Sequence, residues 1–270
     1  MNENYDLLVV EDEPVVLSAI RKIVESERLR MDEAMTVEIA VGKVSRNAYK
    51  LIVTDLMLPH ASGLDLIKAV KEEFPNIPLV VITGYATLEK ALQSFRMGSF
   101  DFIPKPFDTE AFLAVISRGL NYSRLMHDKG SEPLPFVPFS DTSSGDNGSP
   151  DVFCLGSHAL VRLREDGSAI VGVGNTFPNM IDNLQRIEIT NHVGELIQGK
   201  CCAQFITEDG RINTLWAPLS GMTEEYNEEL DKNVHLIDTN PYDKGWIFRI
   251  TPTNLEEELK HLTRCRMKLE

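Results

Sequence analysis

The stretch YDLLVVEDEPVVLSAIRKIVES, residues 5–26, decides the first half of the chain. Residues 5–10 are leucine- and valine-rich and nearly uninterrupted, as a strand covered on both faces should be. Two acids, Glu11 and Asp12, follow at its end. Pro14 then opens a stretch with apolar residues at helical spacing through residue 27. A proline suits a helix's first turn, where the missing N–H would be unpaired anyway. The same unit recurs along the chain. Residues 51–54 and 78–83 read as further buried strands, and 63–74 and 87–97 as helices. Weaker strands are expected at 29–34 and 101–104. A last helix over 109–126 puts Phe112, Leu113, Ile116 and Leu120 on one stripe. Alternation of this kind predicts an α/β fold, a doubly wound parallel sheet with helices on both faces.

The chain has 270 residues, 27 basic and 41 acidic, for a formal net charge of −14. That length suggests one large or two ordinary domains, and 43% apolar residues suffice for a core. The negative balance argues against broad nucleic-acid binding, which needs positive surface to displace counterions. No apolar run approaches the roughly 20 residues that cross a bilayer. The start, MNENYDLLVVEDEP, is acidic and lacks a signal core, so a cytoplasmic location is expected. Cys154, Cys201, Cys202 and Cys265 show no zinc spacing, and adjacent cysteines bridge only with strain. All four are read as reduced thiols.

In open α/β sheets, ligands bind beyond the carboxyl ends of the strands. Strand ends here carry Glu11 and Asp12, Asp55, Thr83 and, past the last strand, Lys105. Converging carboxylates repel unless a cation sits among them, and Mg²⁺ takes a few carboxylates with waters and phosphate oxygens. Asp55 can be an oxygen nucleophile that becomes an acyl phosphate. Glu11 and Asp12 can hold the metal, Lys105 can neutralise a phosphate oxygen, and Thr83 can offer its hydroxyl. A cis Lys105-Pro106 bond would aim the lysine inward. Taken singly, each residue has a bland reading: acids favoured at a helix N-terminus, a loop aspartate, a stray threonine or lysine. Five of them at successive strand ends make coincidence improbable.

The pieces VVEDEP (9–14), IVTDLMLPHASGLDL (52–66), VVITGYAT (80–87) and DFIPKPF (101–107) together resemble a response-regulator receiver domain, over residues 1–127. The resemblance implies a flavodoxin-like sheet, and phosphorylation of Asp55 by a sensor histidine kinase. It implies Mg²⁺ on Glu11, Asp12, Asp55 and the main-chain carbonyl of Met57, with Thr83 and Lys105 on the phosphate. Phe102 matches the family's aromatic switch position.

Residues 128–150 read as a Pro/Gly/Ser-rich linker, in which Phe136 and Phe139 are expected to dock on a flanking domain. Beyond it, alternating segments at 159–163, 169–173, 187–190 and 204–207 are separated by Asp166-Gly167, Asp209-Gly210 and Ser220-Gly221, read as turns. This predicts a mostly antiparallel β-domain over 151–270. Trp216 and Trp246 are expected in its core. A C-terminal helix is expected over 253–270, with Leu255, Leu259 and Leu262 as its stripe and Thr253 with Glu256 as a capping box. HALVRLREDGSAIVGVGNTF (158–177), GELIQGKCCAQF (194–205), WAPLSGMTEEYNEEL (216–230) and TNPYDKGWIFRI (239–250) resemble the glycine cleavage H-protein, a lipoyl-carrier barrel-sandwich. By that resemblance the lipoylated lysine lies eight residues before Pro218, where Gly210 stands. Lys200 falls on the preceding arm, and Arg211 is a poor acyl acceptor. No lipoate is expected.

The chain is therefore read as a two-component response regulator, not an enzyme apart from Mg²⁺-dependent self-phosphorylation and autodephosphorylation. Its output acts by protein contact. Expected partners are a histidine kinase, a second copy through the receiver, and an unidentified protein at the second domain, with neither DNA nor membrane. The alternative is a docking factor or component of a glycine-cleavage or lipoyl enzyme system under phosphorylation control.

Overall fold

The computed structural model describes residues 3–84, 88–128, 152–174, 176–190, 194–239 and 243–265. The chain divides into two compact units, Met1–Glu132 and Pro133–Glu270. Nearly all of the segment read as a linker, Phe136 and Phe139 included, lies outside the described residues.

The first unit alternates β1 (Asn4–Val10), α1 (Pro14–Ser26), β2 (Met31–Ala34), α2 (Val37–Val44), β3 (Ala48–Asp55), α3 (Gly63–Glu73), β4 (Leu79–Thr83), α4 (Leu88–Arg96), β5 (Asp101–Pro104) and α5 (Thr109–Asp128). The strands form one parallel sheet in the order β2-β1-β3-β4-β5. Strand order reverses between β1 and β3, so their carboxyl ends border the crevice where such sheets bind ligands. All of β4, and β3 from Leu51 to Asp55, are buried, which explains their unbroken apolar sequence. In α1, Leu17, Ile20 and Val24 face the core at helical spacing behind Pro14. Helix α2 has no counterpart in the sequence reading. Gly42 and four β-branched residues weaken its propensity. It forms because the Thr36 hydroxyl accepts from the Ile39 N–H at 3.3 Å and Val37, Ala40 and Val44 are buried.

The second unit comprises β6 (Val152–Leu155), β7 (Ala159–Leu163), β8 (Ala169–Val173), α6 (Thr176–Asn179), β9 (Leu184–Ile189), β10 (Glu195–Leu196), β11 (Cys201–Thr207), β12 (Ile212–Trp216), β13 (Gly221–Tyr226), α7 (Glu229–Lys232), α8 (Leu236–Thr239), β14 (Phe248–Pro252), α9 (Leu255–Glu258), a 3-10 turn (Leu259–His261) and β15 (Thr263–Arg264). The strands make a seven-stranded sheet, β10-β13-β14-β8-β7-β6-β15, and a three-stranded one, β12-β11-β9. The pairings within both are antiparallel where their register is defined, as the sequence predicts. The Phe177 and Phe205 rings meet edge-on at 5.1 Å, and His158 packs edge-on against Phe177 at 5.1 Å.

Three expectations are corrected here. The tryptophans are half-buried, and among the described residues of the second unit the fully buried phenylalanines are Phe177, Phe205 and Phe248. Ser220-Gly221 is no turn: Gly221 opens β13, and a Cβ there would stand 2.6 Å from the Thr251 carbonyl oxygen. Glycine is required at that position for close strand approach, not for a positive φ. The C-terminal helix is a single turn, α9, led by Asn254 without a side-chain cap, so the Thr253–Glu256 capping box is absent. The chain then extends, and β15 pairs with β6. A continuing helix would leave that strand edge open and pull the buried Leu262 and Cys265 out of the core.

Candidate functional site

Four strand ends meet on one rim of the parallel sheet. Glu11 follows β1, Asp55 ends β3, Thr83 ends β4 and Lys105 follows β5. Glu11, Asp55 and Thr83 are buried. Helix α3 starts hard against this rim, since a Cβ on Gly63 would lie 2.1 Å from the Asp55 carbonyl oxygen. A reciprocal cap fixes that start. The Ser62 hydroxyl accepts from the Leu64 N–H at 3.2 Å, and the Asp65 carboxylate accepts from the Ser62 N–H at 2.8 Å.

The Lys105 ammonium lies between carboxylates, 2.5 Å from Asp55 Oδ2, 2.7 Å from Glu11 Oε2 and 3.9 Å from Glu13 Oε1. The main chain orients the other oxygens. The Met57 N–H donates to Asp55 Oδ1 at 2.9 Å, and the Glu13 N–H donates to Glu11 Oε1 at 3.2 Å. The Lys105 N–H donates to the Thr83 carbonyl oxygen at 2.9 Å, and the Lys105-Pro106 bond is cis. Burial works against the charged lysine, but hydrogen bonds and charge from Asp55 and Glu11 outweigh it and raise its pKa. Burial raises the Glu11 carboxyl above the usual range, and Lys105 offsets this only in part.

This donor set fits Mg²⁺. It is all oxygen, and the ammonium among it already occupies a spot that stabilises positive charge. The carboxylates of Glu11, Glu13 and Asp55 come within 4.8 Å of one another. Asp12, paired with Glu11 in the sequence reading, does not join that group. The chain bends at Asp12, and the Glu13 N–H turns back onto the Glu11 carboxylate, which brings Glu13 into the group. The run of three acids, Glu11-Asp12-Glu13, is the signal for Glu13 in the sequence. Met57 lies two residues past Asp55, in a bridge to Ser62.

Phe102 is buried on β5, edge-on to Phe95 of α4 at 5.7 Å. Beside it, Asp101 accepts the Phe102 N–H at 2.8 Å and pairs with Arg118 of α5; both partners are 1% exposed. Nothing in the sequence marks Arg118 as more than one polar position of a helix. In the second unit, Gly210 is at the tip of the β11–β12 hairpin with φ +85° and open space where a Cβ would be. The tip is closed by Gly210 N–H to the Thr207 carbonyl at 3.0 Å and an Arg211–Asp209 ion pair at 3.1 Å. No lysine stands between Thr207 and Arg211. Lys200 is exposed on the turn entering β11.

A doubly wound parallel sheet whose rim gathers an aspartate, further carboxylates and a lysine defines a receiver-type fold. Residues 7–117 match the response regulator receiver domain, and residues 154–268 match the glycine cleavage H-protein. The nitrogen assimilation regulatory protein NtrX of Azorhizobium caulinodans is 30% identical over 126 residues, 46% of this chain and 28% of that protein. The response regulator protein PilR of Pseudomonas aeruginosa is 32% identical over 113 residues, 42% of this chain and 25% of that protein. The solved receiver domain of NtrX from Brucella abortus is 31% identical, with a TM-score of 0.41, 43% of this chain and 98% of that domain covered. The chain thus spans about a quarter of the length of the curated relatives it matches. No helix among the described residues is long and apolar enough to cross a membrane.

Proposed function

We propose that this chain is a cytoplasmic two-component response regulator whose Asp55 accepts a phosphoryl group from a sensor histidine kinase. The observation that carries this reading is the placement of Asp55 at the crevice, one carboxylate oxygen on Lys105 and the other on the Met57 N–H. An Asp55 oxygen attacks phosphorus in line as the nitrogen–phosphorus bond of the donor breaks. Lys105 neutralises one phosphoryl oxygen, and the Thr83 hydroxyl donates to another. Glu11, Asp12, Asp55 and the Met57 carbonyl, with Glu13 at hand, would hold Mg²⁺, which would supply positive charge against the carboxylates and the phosphate. The phosphate adds roughly two negative charges. Thr83 is drawn toward it, Phe102 fills the space vacated, and the surface of α4, β5 and α5 changes, with pairing of two receivers as one outcome. Catalysis is limited to self-phosphorylation from small phosphodonors and autodephosphorylation. The test is incubation with acetyl phosphate and Mg²⁺. Asp55 should gain one phosphoryl mass and Asp55→Asn should gain none; label that survives in the variant rules Asp55 out.

The second domain is the output in this reading. It acts through protein contact and carries no lipoate, because the position of the carrier lysine is taken by Gly210. Its match to the glycine cleavage H-protein over 154–268 favours one alternative, a docking factor for a glycine-cleavage or lipoyl enzyme system. Pulldown with and without a phosphoryl mimic separates the two: lipoyl-system enzymes in the eluate support the docking factor, other proteins the signalling output. Recovery of DNA would contradict both.

A further inference from the structure

Two thiols sit together at one edge of the seven-stranded sheet. Cys154 lies on β6, and Cys265 directly follows β15. The antiparallel register sets Thr263 opposite Cys154, and the Cys265 N–H donates to the Val152 carbonyl oxygen at 2.9 Å. Thr263 and Cys265, two apart on a strand, turn to one face. Cys265 is therefore the diagonal neighbour of Cys154 on that face. Both are buried in one apolar cluster with Val152 and Leu160. The Cys265 S–H donates to the Thr263 carbonyl oxygen at 3.1 Å. Cys201 and Cys202 differ: they are chain neighbours at a register shift in β11, and neighbouring cysteines bridge only with strain.

We infer that Cys154 and Cys265 form a dithiol–disulfide site that takes a peroxide-class oxidant. Cys265 is the thiol that reacts first. It directly follows a two-residue strand at the sheet edge, whose release uncovers it, whereas Cys154 sits in a four-residue strand paired on both sides. Cys265 gives its proton to solvent and its sulfur attacks one peroxide oxygen. The O–O bond breaks, a sulfenic acid forms, and the other oxygen leaves as water. The Cys154 sulfur, deprotonated in turn, attacks the Cys265 sulfur, and the S–O bond breaks. The departing hydroxide takes up a proton as a second water. Two thiols and one peroxide thus become one disulfide and two waters. Burial, with the neighbouring thiol, pushes the Cys154 thiol well above the usual range, so the closed pair reacts slowly and the rate follows the opening of β15. Diagonal neighbours lie at or just past the largest Cα separation a disulfide spans, so closure needs a shift of the short strand's backbone. The product would staple the first strand of the unit to the last described one.

The test treats the full chain with hydrogen peroxide, alkylates remaining thiols under denaturing conditions, and maps a non-reducing digest by mass spectrometry. A crosslink joining the Cys154 and Cys265 peptides is expected, with loss of two of the four free thiols and full reversal by a thiol reductant. Mild denaturant below the unfolding transition should speed the reaction several-fold. Cys265→Ser should abolish the crosslink and leave Cys154 open to alkylation. The inference is overturned if both cysteines stay fully alkylatable, if Cys265 proceeds to sulfinic acid without a crosslink, or if the bond joins another pair. The wild-type map stands on its own should the variant fold poorly, and none of these outcomes depends on Asp55.

Discussion

In the first unit the side chains that carry chemistry also hold the rim together. Lys105 binds Asp55 and Glu11 at once, and the end of β3 and the start of α3 are fitted to each other through Gly63. In the second unit the place that would carry chemistry is an open hairpin tip: apart from its chain neighbours, nothing lies within 4 Å of where a Cβ on Gly210 would stand. On the reading that Gly210 stands where the carrier lysine would be, the difference teaches why one site keeps its side chains and the other has no amine. A residue at an open tip can be exchanged without loss of fold, because Phe177, Phe205 and Phe248 lie elsewhere and carry the core. A residue of the buried rim cannot, because its partners would be left charged and desolvated.

The largest test of this contrast is Arg118→Met. It removes the cation of a pair buried at 1% exposure on both sides, so about 3–5 kcal/mol of stability should be lost. Both tryptophans belong to the second unit, so their fluorescence follows that unit during urea unfolding. The far-UV transition of the first unit should move to lower urea while the fluorescence transition stays. A shift of both would break the contrast.

Lys71 on α3 offers a pH-dependent version. Its amine donates to the Pro75 and Ile77 carbonyls at 3.1 and 2.7 Å, and burial lowers its pKa to about 8. The folded value lies below the ordinary lysine value of 10.5, so its stabilising contribution is complete above pH 10.5 and is lost as pH falls through 8. Relative to Lys71→Met, the wild type should gain up to about 3 kcal/mol as pH rises across that window. Parallel unfolding curves at pH 7 and pH 10 check this; an unchanged gap refutes it. In the second unit, Gly221→Ala should cost about 1–3 kcal/mol, because the new methyl meets the Thr251 backbone and not a side chain that can swing away. The readout is the tryptophan transition.

These positions also show what was legible. The parallel sheet could be read because buried strands such as β3 and β4 lose their polar alternation, and the rim could be read because strand ends are where such sheets place ligands. Helix α2 was hidden, since its β-branched residues and Gly42 argue against a helix that a cap and three buried side chains enforce. Glu13 escapes a reading that pairs acids by adjacency, because the bend at Asp12 brings Glu13 and not Asp12 to Glu11 and Asp55. The C-terminal segment misleads because Leu255, Leu259 and Leu262 keep a helical period over too short a span. Edge pairing with β6 then outweighs local preference, and that long-range contact has no local signature. Gly221 resembles a turn residue, but the need for glycine comes from a neighbouring strand, not from its own φ.

The smallest expected effect is also the one that probes the hairpin directly. Gly210→Lys places an amine at the tip, in a backbone conformation with φ +85° that a side chain tolerates at about 1 kcal/mol. A Cβ at residue 210 would have nothing within 4 Å apart from its chain neighbours, and the hairpin is held by bonds from Thr207 to Arg211 and across β11 and β12, none of which uses the residue 210 side chain. The second unit should therefore keep its tryptophan transition within a few degrees. A lipoate–protein ligase with lipoate and ATP should add one lipoyl group to the variant and none to the wild type, seen as a single mass increment on the peptide containing residue 210. An adduct on the variant alone would mean that only the amine has been lost and that the carrier surface around it persists. A folded variant that stays unmodified would mean that recognition has gone as well, and that the second unit has diverged beyond its tip.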